Sequence, residues 1–160
     1  MRHAAITVLL ACVVLSCGVL VGCEPKMQMP SGFVEVEKHN LGPYTQRAVS
    51  ADGVVIALRS ETNPKDATLE FWATAVRDEL VNRRGYILAK EEAAEAANGT
   101  KGKLLTFTAL RSGAEFTYLA AVYVMGGQVL VAEAGGKSET LVHRLADIRK
   151  ALASPRAGGI

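Results

Sequence analysis

The chain has 160 residues, 18 basic against 16 acidic side chains and a formal net charge of +2. This is one ordinary domain beside a leader segment, and the near balance of charge gives no basis for a nucleic-acid or strongly acidic partner. Its three cysteines, Cys12, Cys17 and Cys23, all fall in the first 23 residues, so no disulfide is expected in the body of the domain.

The chain opens on Met1-Arg2-His3 and then runs apolar from Ala4 to Val21 with no acid and no lysine. That is the layout of a secretory signal. As a permanent span it is poor, because Thr7, Ser16 and Gly18 dilute a run close to the roughly 17-residue minimum for crossing a bilayer. It ends in Leu20-Val21-Gly22-Cys23, which resembles the lipobox of bacterial lipoproteins.

The resemblance implies that residues 1–22 are a cleaved signal, with scission between Gly22 and Cys23. It also implies that the Cys23 thiol carries a diacylglyceryl group and that the new amine is acylated, with no other cofactor. Each buried CH₂ contributes about 0.8 kcal/mol, so two or three acyl chains hold a protein durably. Removal of the first 22 of 160 residues leaves 138. Only Arg2 is charged among those removed, which leaves 17 basic and 16 acidic side chains. Lipidation places the domain in the cell envelope. Glu24 stands after Cys23 in place of the Asp that resembles an inner-membrane retention signal, which favours an outer-membrane anchor facing the periplasm where two membranes exist.

Residues 23–32 contain Glu24-Pro25-Lys26-Met27-Gln28-Met29-Pro30, with two prolines and no apolar period, and read as a lipidated tether. The folded domain is expected over 33–153. Two strand-like runs, Thr45 to Ser50 and Val54 to Arg59, are joined through Ala51-Asp52-Gly53, whose Asp-Gly tolerates the positive φ of a tight hairpin. Asn63-Pro64-Lys65-Asp66 then offers an N-cap with proline at the first helical position. The helix predicted there places Leu69, Trp72, Ala73, Val76 and Leu80 on one face and stops at Arg83-Arg84-Gly85.

Tyr86 to Ala89 reads as a short strand, and the Ala- and Glu-rich Lys90 to Asn98 as a helical turn. Three strands follow, Lys103 to Arg111, Glu115 to Met125 and Gln128 to Ala134, separated by Ser112-Gly113 and Gly126-Gly127. A last helix from Ser138 presents Leu141, Val142, Leu145, Ile148 and Leu152 on one face and turns His143, Arg144, Asp147 and Lys150 away. Residues 154–160 read as a frayed tail. The fold class is α+β: an antiparallel sheet of five or six strands covered by two amphipathic helices.

The hairpin, the helix carrying Phe71-Trp72, the following Gly85-Tyr86 and the closing meander plus helix resemble the PsbP/Mog-type fold, including DcrB-like envelope proteins, over residues 44–153. The resemblance implies a binding or assembly accessory module with no shared chemistry.

Catalytic material is sparse. Beyond the signal the chain holds two histidines, His39 and His143. His143 falls on the polar face of the last helix. Glu35, Glu37 and His39 alternate along an extended segment and could present two carboxylates and an imidazole to a divalent cation, although the charged outer face of an edge strand is the favoured explanation. Lys90, Glu91, Glu92 and Glu95 form a charge run of the kind that coats a solvated face. No glycine-rich phosphate loop occurs. Phe71, Trp72, Phe107, Phe116, Tyr118 and Tyr123 could include a recognition patch, although core or boundary packing is favoured; Phe71, beside the inward stripe, is the better candidate for partial exposure. The sequence therefore points to a non-enzymatic lipoprotein that binds another envelope protein, with a small-ligand or metal carrier as the alternative.

Overall fold

The structure, a computed structural model, describes residues 24–158. The lipobox Leu20 to Cys23, and with it the lipidation and cleavage positions Gly22 and Cys23, lies outside the described residues. The body is a seven-stranded antiparallel sheet in the order β1-β2-β3-β7-β6-β5-β4. The strands are β1 (Phe33–Glu35), β2 (Gln46–Ser50), β3 (Val55–Thr62), β4 (Ile87–Glu95), β5 (Lys101–Arg111), β6 (Ala114–Met125) and β7 (Gln128–Lys137). One helix, α1 (Leu69–Asp78), lies on one face, and α2 (Ser138–Leu141) with α3 (Leu145–Leu152) lies on the other.

Seven strands form where five or six were expected. The addition is β1, three residues long, paired with β2 through Val34 opposite Val49. The segment 90–95, expected as a helical turn, instead lengthens the short strand expected at 86–89 into β4. Alanine, glutamate and lysine favour helix, yet the open edge of β5 offers this segment a full ladder, and tertiary pairing overrides propensity. A bulge between Leu88 and Lys90 reverses the alternation. Leu88, opposite Phe107, and Glu91, opposite Leu105, therefore both face α1, while Ala94 packs toward α3 and Glu92 bonds its Arg149. The bulge and the charges also guard an edge strand against pairing with another chain.

The β2–β3 hairpin forms as the Asp-Gly turn predicts, with Gly53 at φ 83° and the Ser50 amide donating to the Val54 carbonyl at 2.9 Å. Strand β3 continues to Thr62, beyond the expected Arg59, because Ser60 to Thr62 still pair with β7.

The helix start is corrected. Thr68 is the N-cap of α1, its Oγ1 accepting from the Phe71 amide at 3.2 Å. Asn63 instead serves the loop before it: its side chain bonds both the amide and the carbonyl of Ala67, each at 2.9 Å, and accepts from Trp72 Nε1 at 3.2 Å. An asparagine before proline can satisfy a turn as well as a helix end, and here burial of Asn63 beneath Trp72 decides for the turn. Past Asp78 the helix widens into a π turn, Glu79–Arg83, and ends at Gly85 with φ 67°.

The last helix is likewise broken into two by a 3-10 turn, Val142–Arg144. Three residues per turn in place of 3.6 shifts the phase of everything after it. Leu141, Ile148 and Leu152 are buried as expected, whereas Val142 is 58% exposed. One core, built on Ile56, Leu58, Leu119, Ala121, Tyr123 and Leu130, lies under α2 and α3; the second, built on Leu105, Phe107, Ala120, Val122 and Val131, lies under α1. Strand β6 feeds both, so its alternation of polar and apolar residues is lost.

Both ends of the described chain are seated on this body. Residues 24–32, expected as a tether, contain a buried Met27 whose amide donates to Gln46 Oε1 at 2.9 Å. Lys26 pairs with Arg156 in an antiparallel bridge, and the Gln28 amide donates to Ser154 Oγ at 2.8 Å. The segment from Ser154 to Arg156, expected to fray, is held by the same bonds. Apolar side chains, not proline content, decide the matter: Met27 and Met29 reach the α3-side core.

Candidate functional site

Helix α1 covers the β5 and β6 half of its sheet face and leaves the β2, β3 and upper β7 half open. The opening is a cleft of about 300 Å³, at the small end of the range for ligand pockets. Its floor is Val55 and Ala57 of β3, Gly135 of β7 and the ring of Tyr118, with Tyr44 and Arg47 on one side and Tyr86 on the other.

Register puts these residues together. Val55 pairs with Gly135, Gly135 with Tyr118, and Ala57 with both Arg47 and Glu133, so all share one face. Gly135 is required by close approach: a Cβ there would sit 2.8 Å from Cδ2 of Tyr118, whose ring lies across the strand. Tyr86 stacks at a tilt against Tyr118, ring centroids 5.4 Å apart, and meets Phe107 edge-on at 6.4 Å. These contacts fix the aromatic wall.

Charge is concentrated at the cleft's inner end. Glu133 is 5% exposed and its Oε1 is 3.0 Å from Nε of Arg59. Burial, and then the Glu133 carboxylate, push the Tyr118 and Tyr44 phenols above their ordinary range, so both stay protonated at physiological pH and act as neutral donors. Arg47 lies over the Tyr44 ring, 5.9 Å from its centroid. Its Nε is buried and has no hydrogen-bond partner among the described residues.

The residues singled out by sequence lie elsewhere. Glu35 accepts from Gln46 Nε2 at 3.0 Å, while Glu37 and His39 face each other at 3.5 Å in an exposed turn. Among the described residues no group of three His, Cys, Asp or Glu is arranged to hold a metal ion. The three candidates are thus separated, because the strand ends at Glu35 and a 3-10 turn, Lys38–Asn40, breaks the alternation that would have aligned them. His143 is exposed on its 3-10 turn. Glu91, Glu92 and Glu95 each pair with a cation: Lys103, Arg149 and Lys101. Phe71 is 59% exposed, and Trp72 is half-buried against α1's core. No helix among the described residues is long and apolar enough to cross a membrane.

Sequence reasoning reached Tyr118 and Phe116 as aromatics of interest but missed Tyr44, Arg47 and Glu133. One signal was available for Glu133: it is the single charge within the run from Gln128 to Gly136, and a lone acid inside a buried strand implies a partner.

No family model matches the chain, and no curated protein matches it in sequence. Solved structures do match in shape. The LpqN protein of Mycobacterium tuberculosis, described as involved in cell envelope biogenesis, is 17% identical with a TM-score of 0.65, covering 86% of each chain. The cyanobacterial PsbP of Synechocystis sp. PCC 6803 is 14% identical with a TM-score of 0.61, over 90% of this chain and 98% of that one. The Ran-binding protein Mog1p of Saccharomyces cerevisiae is 12% identical with a TM-score of 0.52, over 79% of this chain and 81% of its own. At such identities the likeness concerns architecture alone, and the chain has the PsbP/Mog-type fold.

Proposed function

We propose that the chain is a non-enzymatic accessory module of the cell envelope, held at a membrane by lipid on Cys23, that works by binding another envelope protein. The observation that carries the binding role is the cleft: an open, aromatic-walled, apolar-floored recess on a sheet whose other half is covered. Its polar groups are phenols, the Arg47 guanidinium and the Glu133 carboxylate, the last already paired with Arg59 beside the cleft. Such a set recognises; it offers neither an imidazole nor a thiol to act as base or nucleophile.

Three further points support the reading. The apolar run and Leu20-Val21-Gly22-Cys23 supply an anchor. LpqN, alike in fold, is described as involved in envelope biogenesis, and Mog1p as a Ran-binding protein. Glu24 after Cys23 favours an outer-membrane anchor facing the periplasm where there are two membranes. Met27 is docked on the body, so the four residues from Cys23 span at most about 14 Å. The domain would ride close to the bilayer.

The reading is tested by metabolic labelling with a fatty-acid probe, followed by pulldown of the tagged full chain from detergent-solubilised envelopes. Labelling that disappears in Cys23→Ala, with one reproducible co-purifying protein, is expected. An unlabelled chain, or a Cys23→Ala chain that still matures and stays with the membrane, would contradict the anchor; no reproducible partner would contradict the binding role.

A further inference from the structure

The cleft holds a charge imbalance that the fold leaves open. Glu133 and Arg59 face each other at 3.0 Å and offset one another. Arg47, one strand over, forms no ion pair among the described residues, and the buried N–H of its Nε has no acceptor. A charged donor group left without a partner is unfavourable. An anion in the cleft would give the part of the Arg47 guanidinium that lines it a partner. The guanidinium is a planar fork that matches a carboxylate through two parallel N–H bonds, and stacking on Tyr44 holds it ready.

The rest of the cleft defines what the anion is attached to. Val55, Ala57, Gly135 and the Tyr118 ring make a flat apolar floor in line with Arg47. The neutral Tyr44 phenol does not repel an anion, and the Tyr118 phenol is held by Glu133. With Glu133 and Arg59 offsetting one another, the single guanidinium of Arg47 matches one negative charge, which favours a carboxylate over a doubly charged phosphate.

We propose that the cleft binds a carboxylate carried on a flat or branched apolar body, with Arg47 receiving the carboxylate and the Val55–Gly135–Tyr118 floor receiving the body. This rests on the chain being a binding module and adds the chemistry of what is bound. A free organic acid and the C-terminal residue of a protein chain both offer that chemistry.

The chain has four tyrosines. Tyr44, Tyr86 and Tyr118 line the cleft, and Tyr123 is buried in the opposite core, so ring-labelled NMR of the full-length chain in detergent carries its own control. Two probe pairs are titrated: 2-naphthoate against 2-naphthamide, and acetyl-Gly-Gly-Phe as the free acid against its amide. In at least one pair the acid is expected to shift Tyr44, Tyr86 and Tyr118, leave Tyr123 unmoved and bind at least tenfold tighter than its amide. The pair that does so identifies the source of the carboxylate. Arg47→Met should abolish the tenfold preference; if that variant fails to fold, the acid and amide comparison on the unaltered chain decides. Acid and amide binding equally in both pairs, shifts that include Tyr123 equally, or no shift at all would overturn the proposal. A pulldown that recovers a partner alongside such a result would leave the binding-module reading standing.

Discussion

Arg59 and Glu133 lie on paired strands with Nε and Oε1 3.0 Å apart, and the glutamate side chain is 6% exposed while the arginine is 27% exposed. A carboxylate so far from water persists only because its partner is fixed beside it. Glu133→Ala should therefore destabilise the fold by about 2–4 kcal/mol, since it leaves Arg59 without a partner beside a new void. The double variant Arg59→Met with Glu133→Met should recover a large part of that loss. Urea denaturation of the three chains measures both effects. A single variant no weaker than the double would show that the pair does not act as one unit.

Gly135 is the floor of the cleft because the Tyr118 ring occupies the space of its missing Cβ, 2.8 Å away. Gly135→Ala must displace that ring, at a cost of about 1–3 kcal/mol, and narrow the cleft. Gly136→Ala meets Val54 Cγ2 at 3.1 Å and should be milder. Thermal unfolding ranks the two, and a larger loss for Gly136→Ala would contradict the assignment.

Asn63 ties together three parts of the chain: the Ala67 backbone, the Trp72 indole and, through its own amide, the Gly127 carbonyl at 2.9 Å. Asn63→Ala removes the side-chain bonds and leaves the indole N–H unpaired, which should lower stability by about 2–3 kcal/mol. Trp72 is the single tryptophan, so its fluorescence reports the loss directly as a red shift in the folded state.

Stability should fall toward both extremes of pH. Asp52 has a lowered pKa through its bonds to Ser50 and then Arg144, and Glu92 through Arg149 and then Lys90. For a depressed carboxylate the contribution is present above its ordinary value and is lost as pH falls through the folded one, so the acid limb lies below the ordinary values of 3.8 for Asp and 4.5 for Glu. Asp52→Asn should flatten that limb. Burial pushes Tyr123 up to about 12, and its hydroxyl donates to the Leu152 carbonyl at 3.0 Å. A raised value acts in the other direction: the contribution is whole below 10 and disappears as pH rises through 12. Tyrosinate absorbance should show Tyr123 ionising only at that upper end, and Tyr123→Phe should remove its share of the alkaline limb and leave those of Tyr44 and Tyr118.

The parts of the fold that were legible in the sequence are those governed by local chemistry. Asp52-Gly53 announces its turn, and the stripe from Leu69 to Leu80 announces α1, because both depend on residues within a few positions. The strand at 90–95 was hidden because its composition favours helix while the open edge of β5 decides otherwise. The break at Val142–Arg144 was hidden too, since it follows from distant anchors: Arg144 reaches Asp52 at 2.9 Å and lies over the Phe33 ring. The cleft was least visible. Tyr44 with Arg47, Tyr118 and Glu133 come from three separate stretches, and only the register of β2, β3, β7 and β6 brings them together. Glu35, Glu37 and His39 show the reverse: regular spacing in sequence, undone by a turn.

The most direct test of the chain as a cleft-based binding module is photo-crosslinking in intact cells, with the reactive residue placed at Val55 on the cleft floor or at Lys150, an exposed position on the opposite side. The account predicts a single reproducible adduct from Val55 and none of that mass from Lys150. Adducts from Lys150 alone, or the same adducts from both, would contradict it.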